Sequence, residues 1–555
     1  RTEARPYGLK LTMNFGTDYT DYQRTLVYDK EHGNAAQQGG RLSKTNTRTL
    51  SYTFNQLLTY DRTFGDHSLN LLAGHEYYRY ALGEKTGIVG GIDELGPAVT
   101  TTDNNSYSHN YGVESYLARI NYGFKSRYYI DASWRTDGSS RFHPSDRWGH
   151  FWSVGASWRI SEEQFMENTR QWLDNLTLKV SYGVQGNDNL GTYYAWQGLY
   201  DYTWPNATDA GAFVDKLENR KVTWEKNGNL NAGIEATMFG GRLGVSVEYY
   251  NRKTRDMLLN SPLPISTGFT GFNDNVGSLR NQGLEVSLRG TILDKRDFRW
   301  DATLMGSFNR NKVLSLTGGQ DVITSGIRVI EVGQPIYTFY LPKTAGVDPA
   351  TGKQLYYAYW TQTVNDEGTL VNTRCDEYIT DNVAMATLSK YYHESREPKL
   401  FGSIGSTFTI LKNIDVSFLT TYSIGGWVYD GLYNGSMYVQ YAGNNWHKNA
   451  KRRWQKPGDK TDVPMLEVGG SYATTSNSLI DASYFAIKNI TVGYTLPKRW
   501  LKKIDIESLR IYATLDNIAM FNHMDGMDPQ YNFTGSVAYS YTPSRVIAFG
   551  IDLNF

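Results

Sequence analysis

The chain closes on RVIAFGIDLNF. From Ile547 every second residue is apolar: Ile547, Phe549, Ile551, Leu553 and Phe555. Between them stand the small or polar Ala548, Gly550, Asp552 and Asn554. Strict period two specifies a strand with one face in an apolar medium. Terminal strands of soluble proteins commonly fray and end on polar residues, whereas this one ends on an aromatic. By itself the stretch fits either the last strand of a membrane barrel or a strand of an ordinary sandwich.

The same alternation recurs along the chain. Leu9, Leu11, Met13 and Phe15 share one face of a strand read over 7–19. Tyr116, Ala118, Ile120, Tyr122 and Phe124 oppose Arg119 and Asn121, and Tyr128, Ile130, Ala132 and Trp134 oppose Asp131, Ser133 and Arg135. Trp152, Val154, Ala156, Trp158 and Ile160 follow, then Leu176, Leu178, Val180, Tyr182 and Val184. In all, about 16 strands are read this way, with Glu235, Glu285, Arg289 and Asp301 on the faces opposite the apolar ones. One helix interrupts them: Ser161 and Gln164 resemble a capping box, which predicts a helix over 162–173.

The connections alternate too. After odd strands they are long, loose and aromatic; after even strands they are tight turns, apart from the predicted helix. Outer-membrane barrels have this asymmetry, with short periplasmic turns and long extracellular loops. A sandwich or propeller has no reason to segregate its loop lengths. The reading is therefore all-β: a transmembrane antiparallel β-barrel. The apolar stripes face lipid, and the backbone is paired within the wall because hydrocarbon offers it no partners. Sixteen strands left as an open sheet would expose two edges, so either they close on themselves or further strands complete the wall.

Composition bears on what the chain can do. Its 555 residues are too many for one soluble core. Lys+Arg and Asp+Glu are equal at 56, which argues against a nucleic-acid partner. No apolar run reaches the roughly 18 residues of a transmembrane helix. The lone Cys375 has no internal disulfide partner, and no Cys/His spacing suggests a metal site or a cofactor. The start at Arg1 reads as that of a mature, cleaved or truncated chain.

Nine segments, in order, carry a resemblance. They are SRYYIDASWRTDGSSRF (126–142), RWGHFWSVGASWRISEEQFM (147–166), LKVSYGVQGNDNLGTY (178–193), VTWEKNGNLNAGIEA (222–236), VEYYNRKTRDMLLNSPLPISTGF (247–269), VGSLRNQGLEVSL (276–288), RRWQKPGDKTDVP (452–464), SYFAIKNITVGYTLP (483–497) and MDGMDPQ (524–530). Together they resemble the SusC/RagA family of TonB-dependent outer-membrane transporters. The resemblance implies an importer of large nutrients, oligosaccharides or peptides, in the outer membrane of a Gram-negative bacterium. It implies a SusD-like surface lipoprotein as a lid and energy coupling through TonB. It also implies a plugged barrel of about 22 strands. On that basis 1–555 is expected to be the carboxy-terminal part of the barrel. The plug, the first strands and the TonB-contacting segment would belong to an amino-terminal part of the same protein.

No catalytic constellation stands out. Glu162 and Glu163 fit a helix start, where acidic side chains favour the dipole. DPATGK (348–353) lacks the glycine pattern and strand–helix context of a phosphate loop and reads as a surface turn. Asn206-Ala207-Thr208 fits a glycosylation triplet, which means nothing outside the right host. The loop aromatics Tyr193, Tyr194, Trp196, Tyr200, Tyr202 and Trp204 are the candidate substrate-binding residues, since such rings stack on sugars or peptides; packing within the loop is the alternative. The long insertions 312–398 and 425–480 are read as extracellular, with area enough to meet the lipoprotein. Two other functions stay open at this point: a passive porin of about 16 strands, and a secreted all-β carbohydrate-active protein.

Overall fold

The computed structural model describes residues 2–4, 8–90, 100–206, 209–316, 321–437, 445–467, 472–502, 506–524, 527–530, 534–537 and 541–555. Tyr7, where the first strand was expected to begin, and Ala207 and Thr208 of the glycosylation triplet lie outside these. The main sheet is antiparallel and has 17 strands, one of them only the three residues Thr2–Ala4. The remaining sixteen are those the alternation predicts. The chain packs as two compact units.

The first unit comprises Arg1–Glu163, Leu178–Asn231 and Arg252–Ser278. It opens with an up-and-down meander of β1 (Leu9–Tyr28), β2 (Arg41–Phe64), β3 (His67–Gly90), β4 (Thr100–Phe124), β5 (Tyr128–Ser139) and β6 (Trp148–Arg159). Each strand pairs with the next, as in the unbroken ladder from Leu9↔Tyr60 to Tyr28↔Arg41. The β4–β5 turn puts Lys125 and Ser126 at φ +51° and +52°, the backbone of a hairpin turn whose twist matches that of its strands. β1 to β4 are 20 to 25 residues long. That is about twice the 9–11 residues that cross a bilayer. β3 and β4 pair with each other out to Gly90↔Thr100.

Phe15, Ile130, Trp134, Trp152 and Val154 are exposed, as the alternation requires of the apolar face. The other face is knitted by polar contacts. Ser133 and Ser153 share a hydrogen bond of 2.6 Å, and Arg135 donates to Glu76, Asp137 and Ser115.

The predicted helix does not form. Short 3-10 turns occupy Ile160–Glu162 and Gln164–Thr169 instead. Ser161 is buried with its hydroxyl unpartnered, so it caps nothing. Glu163 instead accepts from Tyr128 Oη and Trp158 Nε1, at 2.5 and 3.1 Å. Glu163, which precedes the Gln164 of the expected box, has an extended backbone (φ −77°, ψ 150°), so no helix runs through it.

The strands β7 (Leu173–Asn187), β8 (Glu225–Met238) and β9 (Leu243–Arg255) come next in the chain. The second unit comprises Gln164–Thr177, Ala232–Asn251 and Leu279–Phe555. It contains β10 (Ser278–Lys295) almost entirely, then β11 (Phe298–Ser315), β12 (Leu400–Ile410), β13 (Ile414–Ile424), β14 (Tyr484–Thr495), β15 (Ser508–Asn522) and β16 (Val546–Asn554). From β11 onward each pairs antiparallel with the next.

Expected to be loose, the insertions of this unit are folded. The first holds a four-stranded sheet (Val322–Ser325, Arg328–Glu331, Thr338–Pro342, Lys390–Ser395) and a three-stranded one (Thr344–Val347, Gln354–Val364, Leu370–Thr380). A helix, Val383–Leu388, starts at Asn382, whose side chain accepts from two backbone N–H groups of the first turn. In a third sheet, Trp427–Asp430 pairs antiparallel with Leu479–Asp481 and parallel with Ser536–Val537. Phe339 and Leu341 of the first insertion pack on Tyr429 of the second. These pairings join segments far apart in sequence, which no local periodicity announces.

Candidate functional site

The six loop aromatics follow β7, and the loop is bolted down where it begins. Asp188 accepts from Tyr111 Oη and Ser139 Oγ, each at 2.7 Å, and forms an ion pair with Arg141 at 3.2 Å. Arg141 Nη1 also donates to the Asp188 carbonyl and to Asn189 Oδ1. Its guanidinium lies over the rings of Tyr111 and Tyr193, 4.5 and 5.2 Å from their centroids. The Arg141 and Asp188 side chains are only 12% and 13% exposed, so the pair is nearly out of water and depends on these partners.

This anchor divides the six residues. Tyr193 sits among Tyr80, Tyr111, His109 and Tyr194, at centroid distances of 6.1, 6.0, 5.3 and 6.5 Å. Tyr194 Oη accepts from the backbone N–H of Asn110 at 3.4 Å. Trp196 packs against the buried cluster of Phe142, Phe151, Ala195, Val222, Trp224 and Leu258, with His143 edge-on to its ring. These three rings hold the loop to the wall.

Tyr200, Tyr202 and Trp204 are placed differently. They lie on a two-stranded hairpin, Leu199–Asn206 against Asp209–Lys216, that pairs with no other strand among the described residues. The ladder shifts register between Trp204↔Gly211 and Asp201↔Phe213, a bulge that breaks strict alternation among positions 200, 202 and 204. Their exposures are 59%, 65% and 64%. Phe213, also exposed, meets Trp204 edge-on at 6.0 Å. A bare two-stranded hairpin is marginal in water, and a row of uncovered rings on one marks a contact surface. Phe213, Arg141 and Asp188 escaped the sequence reading. The last two lie inside quoted motifs, but nothing local says that they pair.

The first insertion of the second unit carries another aromatic group. Tyr340 and Tyr392 approach to 4.9 Å, and Tyr359 and Tyr391 to 5.3 Å. Lys343 Nζ lies 4.5 Å from the Tyr357 centroid, and the Arg374 guanidinium 5.2 Å from that of Tyr359. Burial pushes the Tyr359 phenol up to about 12, so the ring stays neutral. The DPATGK segment is the surface turn expected: Asp348 accepts from Ala350 N–H and Thr351 Oγ1, and Gly352 adopts φ +74°. Among the described residues no three His, Cys, Asp or Glu side chains are grouped to hold a metal ion.

A family model described as "TonB dependent receptor-like, beta-barrel" matches residues 2–518. The chain belongs to that family. It is similar to TonB-dependent receptor SusC of Bacteroides thetaiotaomicron, 27% identical over 567 residues that cover 99% of this chain and 54% of that one. TonB-dependent receptor P3 of Formosa agariphila is 25% identical over 551 residues, covering 92% of this chain and 53% of that one. Among solved structures, the RagAB peptide transporter matches with a TM-score of 0.85 and 27% identity, over 100% of this chain and 61% of that one. The chain thus spans about half the length of the curated relatives it matches. The SusC/RagA resemblance read from the nine segments holds. The fold is an outer-membrane β-barrel, and its relatives are receptors and transporters, not enzymes. That disfavours both the secreted carbohydrate-active reading and the passive porin.

Proposed function

We propose that the whole protein imports a large nutrient, an oligosaccharide or a peptide, across the outer membrane. TonB supplies the energy and a SusD-like lipoprotein closes the site from outside. The observation that carries this is the likeness over nearly the full chain to SusC and to a structure described as a peptide transporter. In this reading residues 1–555 form the carboxy-terminal part of a plugged barrel of about 22 strands. The plug and the TonB-contacting segment belong to an amino-terminal part of the protein.

Within the chain, Tyr200, Tyr202 and Trp204 meet the substrate. Tyr193, Tyr194 and Trp196 keep their hairpin in position. Ile547, Phe549, Ile551, Leu553 and Phe555 of the terminal strand face lipid. The insertions at 312–398 and 425–480 are extracellular and contact the lipoprotein; their folded sheets supply a firm surface for it.

Uptake in cells is the test. Oligosaccharide and peptide pools are fed to strains with and without TonB. Accumulation should require TonB for one of the two pools. Uptake that persists without TonB, together with large steady conductance in planar bilayers, would favour a passive pore.

A further inference from the structure

The eleven residues of β2 from Phe54 to Phe64 are the length of strand that crosses a bilayer. Rings mark both ends of that stretch on the apolar face. At the tight-turn end Phe64, His67 and Phe124 follow one another at centroid distances of 5.3 and 4.9 Å. At the other end Phe15, Tyr52 and Tyr77 do so at 6.4 and 6.0 Å. Leu11, Leu58, Ile120 and Ile130 are exposed between them. Aromatic girdles of this kind flank the lipid-facing band of a barrel.

Beyond the second girdle the strands run on, and the same face changes character. An unbroken ladder carries the alternation upward and puts Arg79, Arg48, Lys85 and Lys44 on it at successive heights. All four are exposed. Among the described residues of β1–β4, the acids on this face are Asp21 and Glu114. Asp21 accepts from Arg48 Nε at 3.1 Å. Glu114 accepts from Tyr116 Oη at 2.7 Å and lies 3.5 Å from His75 Nε2. Lys44, Arg79 and Lys85 are left without an ion pair among the described residues. Lys85 stands opposite Asn46, so Lys44 is its diagonal neighbour, with Cα atoms about 7–8 Å apart.

The height of this series selects what it can meet. From the row of Tyr52 and Arg79 up to Lys44 is about 27 Å along the strand, or about 19 Å above the girdle at a tilt of about 45°. The polar layer of an ordinary bilayer adds only about 5–8 Å on each side. Free cations spread through the greater depth suit a lipid whose headgroup is a thick layer of phosphates and acidic sugars.

We propose that this face of β2 and β3 docks lipopolysaccharide of the outer leaflet. Arg79 meets the phosphates nearest the acyl chains, and Lys44 and Lys85 meet acidic groups of the sugar core above them. Contacts of this kind are charge-assisted hydrogen bonds at exposed positions, so they weaken as salt rises. The surface is separate from substrate import and shares with that reading only the extracellular placement of the long connections.

The test uses the full-length protein in detergent and a fluorescent rough lipopolysaccharide. Its unlabelled form, the same molecule stripped of phosphate, and phosphatidylglycerol compete for the protein. Intact lipopolysaccharide should compete at least tenfold better than either of the others, and less well as salt rises. The combined variant Lys44→Gln, Arg79→Gln and Lys85→Gln should lose at least tenfold in affinity. Arg24→Gln, on the opposite face of β1, should lose none. Equal affinity in the parent and the triple variant, equal competition by the dephosphorylated molecule or by phosphatidylglycerol, or an equal loss in Arg24→Gln overturns the proposal. A Glu31→Cys variant, in the connection between β1 and β2, is treated in intact cells with a membrane-impermeant maleimide. Labelling without a lipopolysaccharide preference removes this surface alone. No labelling above the parent removes the sidedness on which it rests, and the proposal with it.

Discussion

Asp415 and Arg510 meet across an intervening strand, over Gly493. Arg510 donates to the two carboxylate oxygens of Asp415 at 2.9 and 2.6 Å and reaches Asp552 at 3.2 Å. Asp415 lies on β13 and Arg510 on β15, and Gly493 of β14 stands opposite Asp415 in the ladder. A Cβ at 493 would lie 2.5 Å from Asp415 Oδ1 and 2.6 Å from Arg510 Nε. The bare backbone is what allows the contact. Tyr422 crosses Gly402 in the same way to donate to the Met305 carbonyl at 3.0 Å, a pattern in which a ring covers a strand glycine.

Gly493→Ala should therefore separate the pair and lower stability by about 1.5–3 kcal/mol, the range for hydrogen bonds to charged groups. The check is the temperature at which the detergent-solubilised protein loses its β-sheet circular dichroism. Adding Asp415→Asn should cause little further loss, because the contact is already broken.

Asp188→Ala should leave Arg141 nearly buried without its counter-charge, at about 3 kcal/mol of local stability. The consequence is confined to the loop it anchors. Limited proteolysis should cut between 188 and 224 in the variant and not in the parent. Equal resistance in both would mean that the ring packing around Tyr193 suffices alone.

Trp204→Ala and Tyr202→Ala should behave oppositely. The rings are exposed, so each substitution should change stability by less than about 1 kcal/mol, including the Trp204–Phe213 edge contact. Substrate affinity should fall at least tenfold. A melting temperature that drops while binding holds would assign these rings to packing.

His393 gives the first insertion a pH dependence. Burial pushes its pKa below the ordinary 6.5, nearby Lys343 acts in the same direction, and its Nε2 donates to the Leu341 carbonyl at 3.2 Å. The folded state therefore holds the proton less well than the unfolded one. The contribution is complete above 6.5 and is lost as pH falls from there through the depressed folded value. Hydrogen-exchange protection of Thr338–Pro342 and Lys390–Ser395, relative to the intrinsic rate at each pH, should fall more between pH 7.5 and pH 5 in the parent than in His393→Gln.

Phe549→Arg places a cation on the face of the terminal strand assigned to lipid. Near the bilayer midplane this costs about 2–4 kcal/mol, less toward the interfaces. Folding yield into liposomes should fall accordingly. The same change at Asp552, on the opposite face, should perturb the Arg510 network without a lipid penalty.

Strand identity was legible because it is local. Side chains alternate about a pleated backbone whatever lies beyond it, so Tyr128, Ile130 and Trp134 declare their face from three letters in the sequence. Tight turns are local too: Gly240 and Gly241 take φ of +64° and +78°, which glycine adopts without a steric penalty. The helix over 162–173 was misread because Ser161 and Gln164 offer a plausible cap, while Tyr128, 35 residues away, and nearby Trp158 hydrogen-bond the intervening Glu163. The insertions looked loose because their order comes from pairings such as Tyr429 with Ser536, between segments that carry no shared period.

The sequence by itself determined a membrane barrel wall, its two faces and a cluster of aromatic loop residues. Only the tertiary structure decided which of those aromatics anchor the loop and which stand free. Arg141, Asp188 and Tyr111 come from three different segments, and the burial that makes their contacts strong exists only once the sheet has brought those segments together.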